Sequence, residues 1–285
     1  MADIQWFPGH MAKARRMIEK ELKLVDVVIE LVDARIPESS RNPLLDEIIG
    51  KKRPRLIILN KADLADPNRT QYWREKYTEG NHLAVAVNST SGRKKLQQTI
   101  VEAVYTLTEE KRQRFLDRGA TSVTLRVMVV GIPNVGKSTF INMLLGRSLT
   151  TTGNKPGVTK GKQWVRLTDD IELLDTPGLL WHKFEDQQVG EKLAMTGAIG
   201  DEVFVWEDVA FHFLQLVQRR YAADLAARYA LDKEDVPEMD TYALMQTIGR
   251  KRGAIVRGGK VDDLKTARLI LKDFRDNKIG RITLE

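Results

Sequence analysis

The chain has 285 residues, 42% hydrophobic and 30% charged, enough to bury one large core or two modest ones, as in an ordinary soluble globular protein. It has no cysteine, which excludes disulfides and thiolate zinc sites and fits a reducing cytosol. No apolar run approaches the ~18 residues of a membrane span, and the basic start MADIQWFPGHMAKARR lacks the apolar block of a signal peptide. The net charge of +7 is uneven: residues 245–285 carry eleven Lys/Arg against five acids, directly after the acidic stretch 231–240, the outline either of a nucleic-acid binder or of a solvated basic surface.

Along the chain, Met11, Ala14, Ile18 and Leu22 recur at helical spacing and predict a helix over 11–22. Apolar runs at 25–32, 55–59, 83–87, 123–130, 163–167 and 171–174 predict strands, with amphipathic stretches between them, among them a long helix over 94–116. That alternation is how a mostly parallel α/β sheet reads. Past residue 185 the strand signal fades. Helices are predicted over 209–229, 241–250 and 262–276, separated by the acidic segment around Pro237 and by Gly253, Gly258 and Gly259. The expected organisation is an α/β P-loop domain over 1–185, followed by an all-α, basic domain over 186–285.

Four of the predicted strands end on chemistry. The strand at 55–59 runs into Asn60-Lys61-Ala62-Asp63. An aspartate there accepts from both N1–H and the exocyclic amine of guanine, whereas adenine presents the reverse pattern and is rejected by unpaired polar groups. Asn60 and Lys61 hold neighbouring loops and cover the base. After the strand at 83–87, the turn Asn88-Ser89-Thr-Ser-Gly92 offers backbone amides to guanine O6, or is an ordinary Ser/Gly turn. The strand at 123–130 leads into Gly131-Ile-Pro-Asn134-Val135-Gly136-Lys137-Ser138-Thr139 and then an apolar helical pattern. Glycines let N–H groups curl around phosphate, and a helix N-terminus adds its positive end. Residues 134–139 are therefore expected to contact nucleotide, with Lys137 charged against the β- and γ-phosphates and Ser138 a magnesium ligand. The strand at 171–174 ends on Asp175-Thr-Pro-Gly178, where the carboxylate holds magnesium through water and the Gly178 amide meets the γ-phosphate. Thr159, 21 residues after Ser138, is placed to complete the magnesium shell.

The set is complete but rotated, because Asn60 precedes Gly131. With the opening Trp6-Phe-Pro-Gly-His-Met-Ala-Lys13, the Asp33-Ala-Arg-Ile-Pro37 segment and the basic helical end, the chain resembles the circularly permuted GTPases of the ribosome-assembly class, most closely the bacterial ribosome biogenesis GTPase A family. The resemblance covers nearly the whole chain. It implies GTP hydrolysis with magnesium, a role in late maturation of the large ribosomal subunit in the cytoplasm, and contacts with its rRNA, with no membrane or DNA partner.

Leu179 stands where many GTPases place a water-orienting glutamine, so slow intrinsic turnover is expected. The resemblance points instead to His10 as the group that orients or deprotonates the attacking water; otherwise His10 caps the first helix. His82, His182 and His212 stand in no motif and read as structural or surface residues. Asn134 matches the asparagine of potassium-activated GTPases, where its amide oxygen binds a monovalent cation, or it stiffens the loop with a hydrogen bond. Loss of the γ-phosphate is expected to relax the loop after Asp175 and to re-aim the basic helices.

In the last helix Leu264, Ala267, Leu271 and Phe274 form an apolar stripe, and Lys265, Arg268, Lys272 and Arg275 a basic one beside it, suited to structured RNA. Other readings are an RNA scaffold that binds GTP without partner-stimulated turnover, and a GTPase of transfer-RNA modification or of a membrane complex. The lack of an amphipathic membrane segment or a cysteine-bearing appended domain speaks against the last.

Overall fold

The computed structural model describes residues 9–50, 52–88, 92–146, 164–175 and 186–285; residues 9–14 and Asp175 are described as backbone only. Six strands form one sheet: β1 (Val27–Asp33), β2 (Arg55–Asn60), β3 (His82–Ala86), β4 (Leu125–Gly131), β5 (Trp164–Arg166) and β6 (Ile171–Asp175). Their order is β3-β2-β1-β4-β6-β5, parallel throughout except for the β5–β6 pair. β1 and β4 are nearly continuous apolar runs, as central parallel strands must be when helices cover both faces. Every predicted strand is present within about two residues of its expected ends, the ordinary uncertainty of such boundaries.

Register then collects the motifs. Asp33 pairs with Asn60, Leu31 with Gly131, and Val129 with Asp175, so the loops that follow leave from one end of the sheet. Ligands of open parallel sheets bind there, outside the carboxyl ends of the strands.

The helices are α1 (Gly9–Leu22), α2 (Pro43–Ile49), α3 (Pro67–Tyr77), α4 (Arg93–Leu107), α5 (Glu109–Leu116), α6 (Lys137–Leu145), α7 (Gln187–Thr196), α8 (Trp206–Val217), α9 (Ala222–Tyr229), α10 (Thr241–Lys251) and α11 (Asp263–Arg275). Two predicted helices are each split in two. The break at Thr108 comes from a buried threonine whose hydroxyl bonds Val104 O at 2.7 Å while its own carbonyl starts α5. The 209–229 stretch divides into α8 and α9 just before Tyr221, which the C-terminal residues engage (below). α2 and α3 escaped the sequence reading although both carry a start signal: Asn42 and Asp66 cap them, with Pro43 and Pro67 at the first helical position.

One apolar cluster runs from Ile18 and Val27 through Phe140 and Leu193 to Phe213, Phe274 and Leu284, so sheet and later helices share a core. A smaller cluster sits under α3 around Ile57, Leu59, Trp73 and Tyr77. Amid β1, Glu30 is buried but paired with Arg55 of β2 at 3.0 Å, which makes that burial tolerable. After α11 the chain returns to the carboxyl ends of β1 and β2, burying Ile282, Thr283 and Leu284.

Candidate nucleotide site

β4 delivers the chain into a loop that only its own sequence permits. A Cβ at Gly131 would meet Leu31 O at 2.9 Å, and one at Gly136 (φ +96°) would meet the Asn60 amide nitrogen at 2.5 Å. Asn134 takes the left-handed conformation too (φ 58°), which asparagine tolerates better than most residues. The loop is wound against the end of β2. Asn60 Nδ2 donates to Val135 O at 2.9 Å, and Lys61 Nζ donates to Asn134 O at 3.3 Å. Gly136 is the N-cap of α6 with no side chain capping it, and Lys137 is the buried first residue of that helix, followed by half-buried Ser138 and exposed Thr139. Backbone N–H groups of a helix start, a buried lysine and a glycine with no room for a Cβ make a cradle that fits the phosphates of a nucleotide.

Asp33, the last residue of β1, organises the neighbouring loop. Its carboxylate accepts from Arg35 Nε at 2.9 Å, Arg35 Nη2 at 2.7 Å and Lys61 Nζ at 2.9 Å, all but closed to solvent. Burial alone would raise its pKa, but the Arg35 and Lys61 charges win and hold it far below the usual carboxylate range. Burial pulls the Lys61 ammonium below its ordinary value while Asp33 pulls it back. Arg35 also reaches Thr196 O at the end of α7 (3.4 Å) and lies 5.3 Å from the Phe274 ring of α11. Sequence reading used Asp33 and Arg35 only as marks of resemblance; their spacing gives no hint that Lys61 joins them.

The turn at residues 61–64 follows directly. Asp63 is exposed in a turn closed by Leu64 N donating to Lys61 O at 2.9 Å. Ala62 N donates to Val87 O at 3.1 Å, which brings the turn beside Asn88. Asn134 Nδ2 donates to Ala198 O at 3.3 Å, between α7 and α8, so the phosphate loop also touches the helical part. Asp175 ends β6 beside β4, and His10 lies in the first turn of α1. Ser89, Thr159 and Gly178 lie outside the described residues, as do the side chains of His10 and Asp175.

On α11, Lys265, Arg268 and Lys272 are exposed, with Arg268 5.5 Å from the Trp206 ring. Arg275 departs from the expected row. It donates to Ala194 O at 2.7 Å and Met195 O at 3.1 Å and pairs with Asp201 at 3.1 Å, satisfying the last carbonyls of α7. Leu264 departs from the apolar stripe: it is exposed, and Thr266 and Ile270 are buried alongside Ala267, Leu271 and Phe274. His82 opens β3, and His212 lies 3.0 Å from the Glu191 carboxylate, away from the loop cluster; His182 falls outside the described residues.

Residues 126–239 match the family described as 50S ribosome-binding GTPase. The chain is similar to ribosome biogenesis GTPase A of Priestia megaterium, at 49% identity over 99% of this chain and 96% of that protein. It is similar to the Bacillus cereus protein of the same name at 48% identity, covering 99% and 93%. Among solved structures it is similar to GDP-bound YlqF from T. maritima, with TM-score 0.68 and 25% identity, covering 95% of this chain and 98% of that one.

Proposed function

The chain belongs to the ribosome biogenesis GTPase A family, a GTP-hydrolysing enzyme of ribosome biogenesis with circularly permuted motifs, and from that premise we propose that it is a cytoplasmic assembly switch acting late on the large ribosomal subunit. The observation that carries the proposal is physical continuity between nucleotide cradle and basic helices. Arg35 and Asn134 join the loops that follow β1 and β4 to the end of α7 and to Ala198 just beyond it, and α11 packs on α7 and α8. The description of the matching family supports the large subunit as the target. Lys265, Arg268 and Lys272 on the outer side of α11 are the proposed rRNA contacts, and phosphate recognition makes such binding salt-sensitive.

Within the site, Lys137 and the amides of residues 134–139 hold the phosphates, Asp63 reads guanine, and Asn88 and Ser89 are assigned to offer backbone amides to its O6. Ser138, Thr159 and Asp175 are the residues that would hold magnesium, whose charge offsets that of the phosphates, and Gly178 makes the neighbouring loop sensitive to the γ-phosphate. Leu179 cannot polarise water, and the family resemblance assigns His10 to orient the attacking water and take up its proton. Asn134, its NH₂ end committed to Ala198 O, presents an oxygen suited to a monovalent cation; faster turnover in potassium than in sodium is expected, and equal rates would remove that assignment.

The test is co-sedimentation of the full chain with large ribosomal subunits, with a non-hydrolysable GTP analogue or GDP, across a salt series. Binding should favour the analogue. Replacing Lys265, Arg268 and Lys272 by alanine should make log affinity against log salt shallower by roughly two to three. Binding that ignores both the nucleotide and the triple substitution would overturn the proposal.

A further inference from the structure

The turn around Asp63 is held from the far end of the chain. Arg281 forks across it, donating from Nη2 to Ala62 O and from Nε to Ala65 O, both at 2.9 Å. Ile282 N donates to Leu64 O at 3.2 Å, and Asp66 N to Thr283 Oγ1 at 3.1 Å. Four residues around Asp63, 62, 64 and 65 by their carbonyls and 66 by its amide, are thus tied to a segment more than 200 positions away. That segment is anchored in turn. Buried Tyr221, at the start of α9, accepts from Thr283 N at 3.1 Å, and its hydroxyl lies 3.1 Å from the Asp66 carboxylate. Leu284 N donates to Arg35 O at 2.8 Å, on the loop that also bears the Asp33 cluster.

A short exposed turn gains limited rigidity from its own Leu64 N to Lys61 O bond, and a carboxylate that must accept two parallel bonds from a base edge tolerates little misplacement. We propose that residues 281–284 form a strap that positions Asp63, with Arg281 and Tyr221 as positioning residues for guanine recognition. The proposal rests on the assignment of Asp63 as the base reader. It makes base selectivity depend on the helical part of the chain, which the motif spacing alone does not foresee. Removing the Arg281 fork frees the Ala62 and Ala65 carbonyls and lets the turn drift, so the bond to the guanine amine weakens more than the contacts to phosphate.

The experiment measures dissociation constants of the full chain for GDP, IDP and XDP, by competition against a fluorescent GDP analogue. Inosine keeps N1–H but lacks the exocyclic amine, so the GDP-to-IDP affinity ratio isolates the bond that Asp63 makes to that amine. In Arg281→Ala the ratio should fall by about fivefold or more, the scale of weakening, without fully losing, one charge-assisted hydrogen bond. Tyr221→Phe should move it in the same direction. A purely structural role would reduce the active fraction for both nucleotides and leave the ratio in place. An unchanged ratio in both variants overturns the strap. Asp63→Asn separates the two ideas: its amide can donate to the carbonyl that xanthine carries at that position, so preference should shift to XDP. If it does not, the assignment of Asp63 falls and the strap with it. If it does while the Arg281 and Tyr221 variants keep the wild-type ratio, only the strap is lost.

Discussion

A methyl group at Gly136 would lie 2.5 Å from the Asn60 amide nitrogen, on a backbone at φ +96° that L side chains rarely adopt. Gly136→Ala should therefore weaken GDP binding at least tenfold, about 1.4 kcal/mol, and destabilise the fold by roughly 1–3 kcal/mol. Titration with a fluorescent nucleotide and denaturant unfolding check the two effects separately. Asp33 carries a different kind of weight. Asp33→Asn leaves the Arg35 guanidinium buried without its counter-charge, and a loss of roughly 3–5 kcal/mol is expected near neutral pH. The folded pKa of Asp33 is depressed below the unfolded value of about 3.9, so its stabilisation is complete above that value and is lost as pH falls through the folded one. The stability gap between wild type and Asp33→Asn should stay constant between about pH 5 and 8 and close only in acid. A gap that closed on raising the pH would contradict an Asp33 carboxylate held below its ordinary pKa by its cationic neighbours.

At the scale of elements, α11 shows why one face of a helix cannot be read from spacing alone. Lys265, Arg268, Lys272 and Arg275 follow one helical row, yet Arg275 turns to the carbonyls of α7, about 80 positions earlier in the chain. Arg275→Ala should lower the unfolding midpoint, by about 1–2 kcal/mol of stability, and leave affinity for ribosomal particles within twofold. Lys272→Ala should do the reverse, and thermal unfolding beside co-sedimentation distinguishes them. The strands and the phosphate loop were legible because each is written locally, the strands in apolar runs such as 123–130 and the loop in glycines at fixed spacing before Lys137. Less legible were features made by partners remote in sequence. Thr108 breaks a helix whose apolar pattern runs on, Arg35 meets Thr196 and Phe274, and Arg281 meets Ala62. Asn42-Pro43 and Asp66-Pro67 belong to neither group, being local start signals passed over in favour of the apolar pattern.

Across the whole molecule, permutation changes which ends of the core are tied to the helices. Asp175 ends the last strand, and the chain resumes, among the described residues, at α7; the chain's far end returns to β1 and β2. The helical part is thus fastened to the turn around Asp63 by residues 281–284 and to the phosphate loop by Asn134. If γ-phosphate loss re-aims the basic helices, the movement must work against these bonds. Solution scattering should then show a small change between GTP-analogue and GDP states, and identical profiles would refute the re-aiming. The most direct test of an assembly switch is GTP turnover with and without purified large ribosomal subunits, at fixed magnesium, potassium and salt, for wild type and His10→Ala. Stimulation of about tenfold or more, near 1.4 kcal/mol of barrier, is expected in the wild type and is expected to vanish in the variant. Turnover that large subunits leave unchanged would contradict the switch.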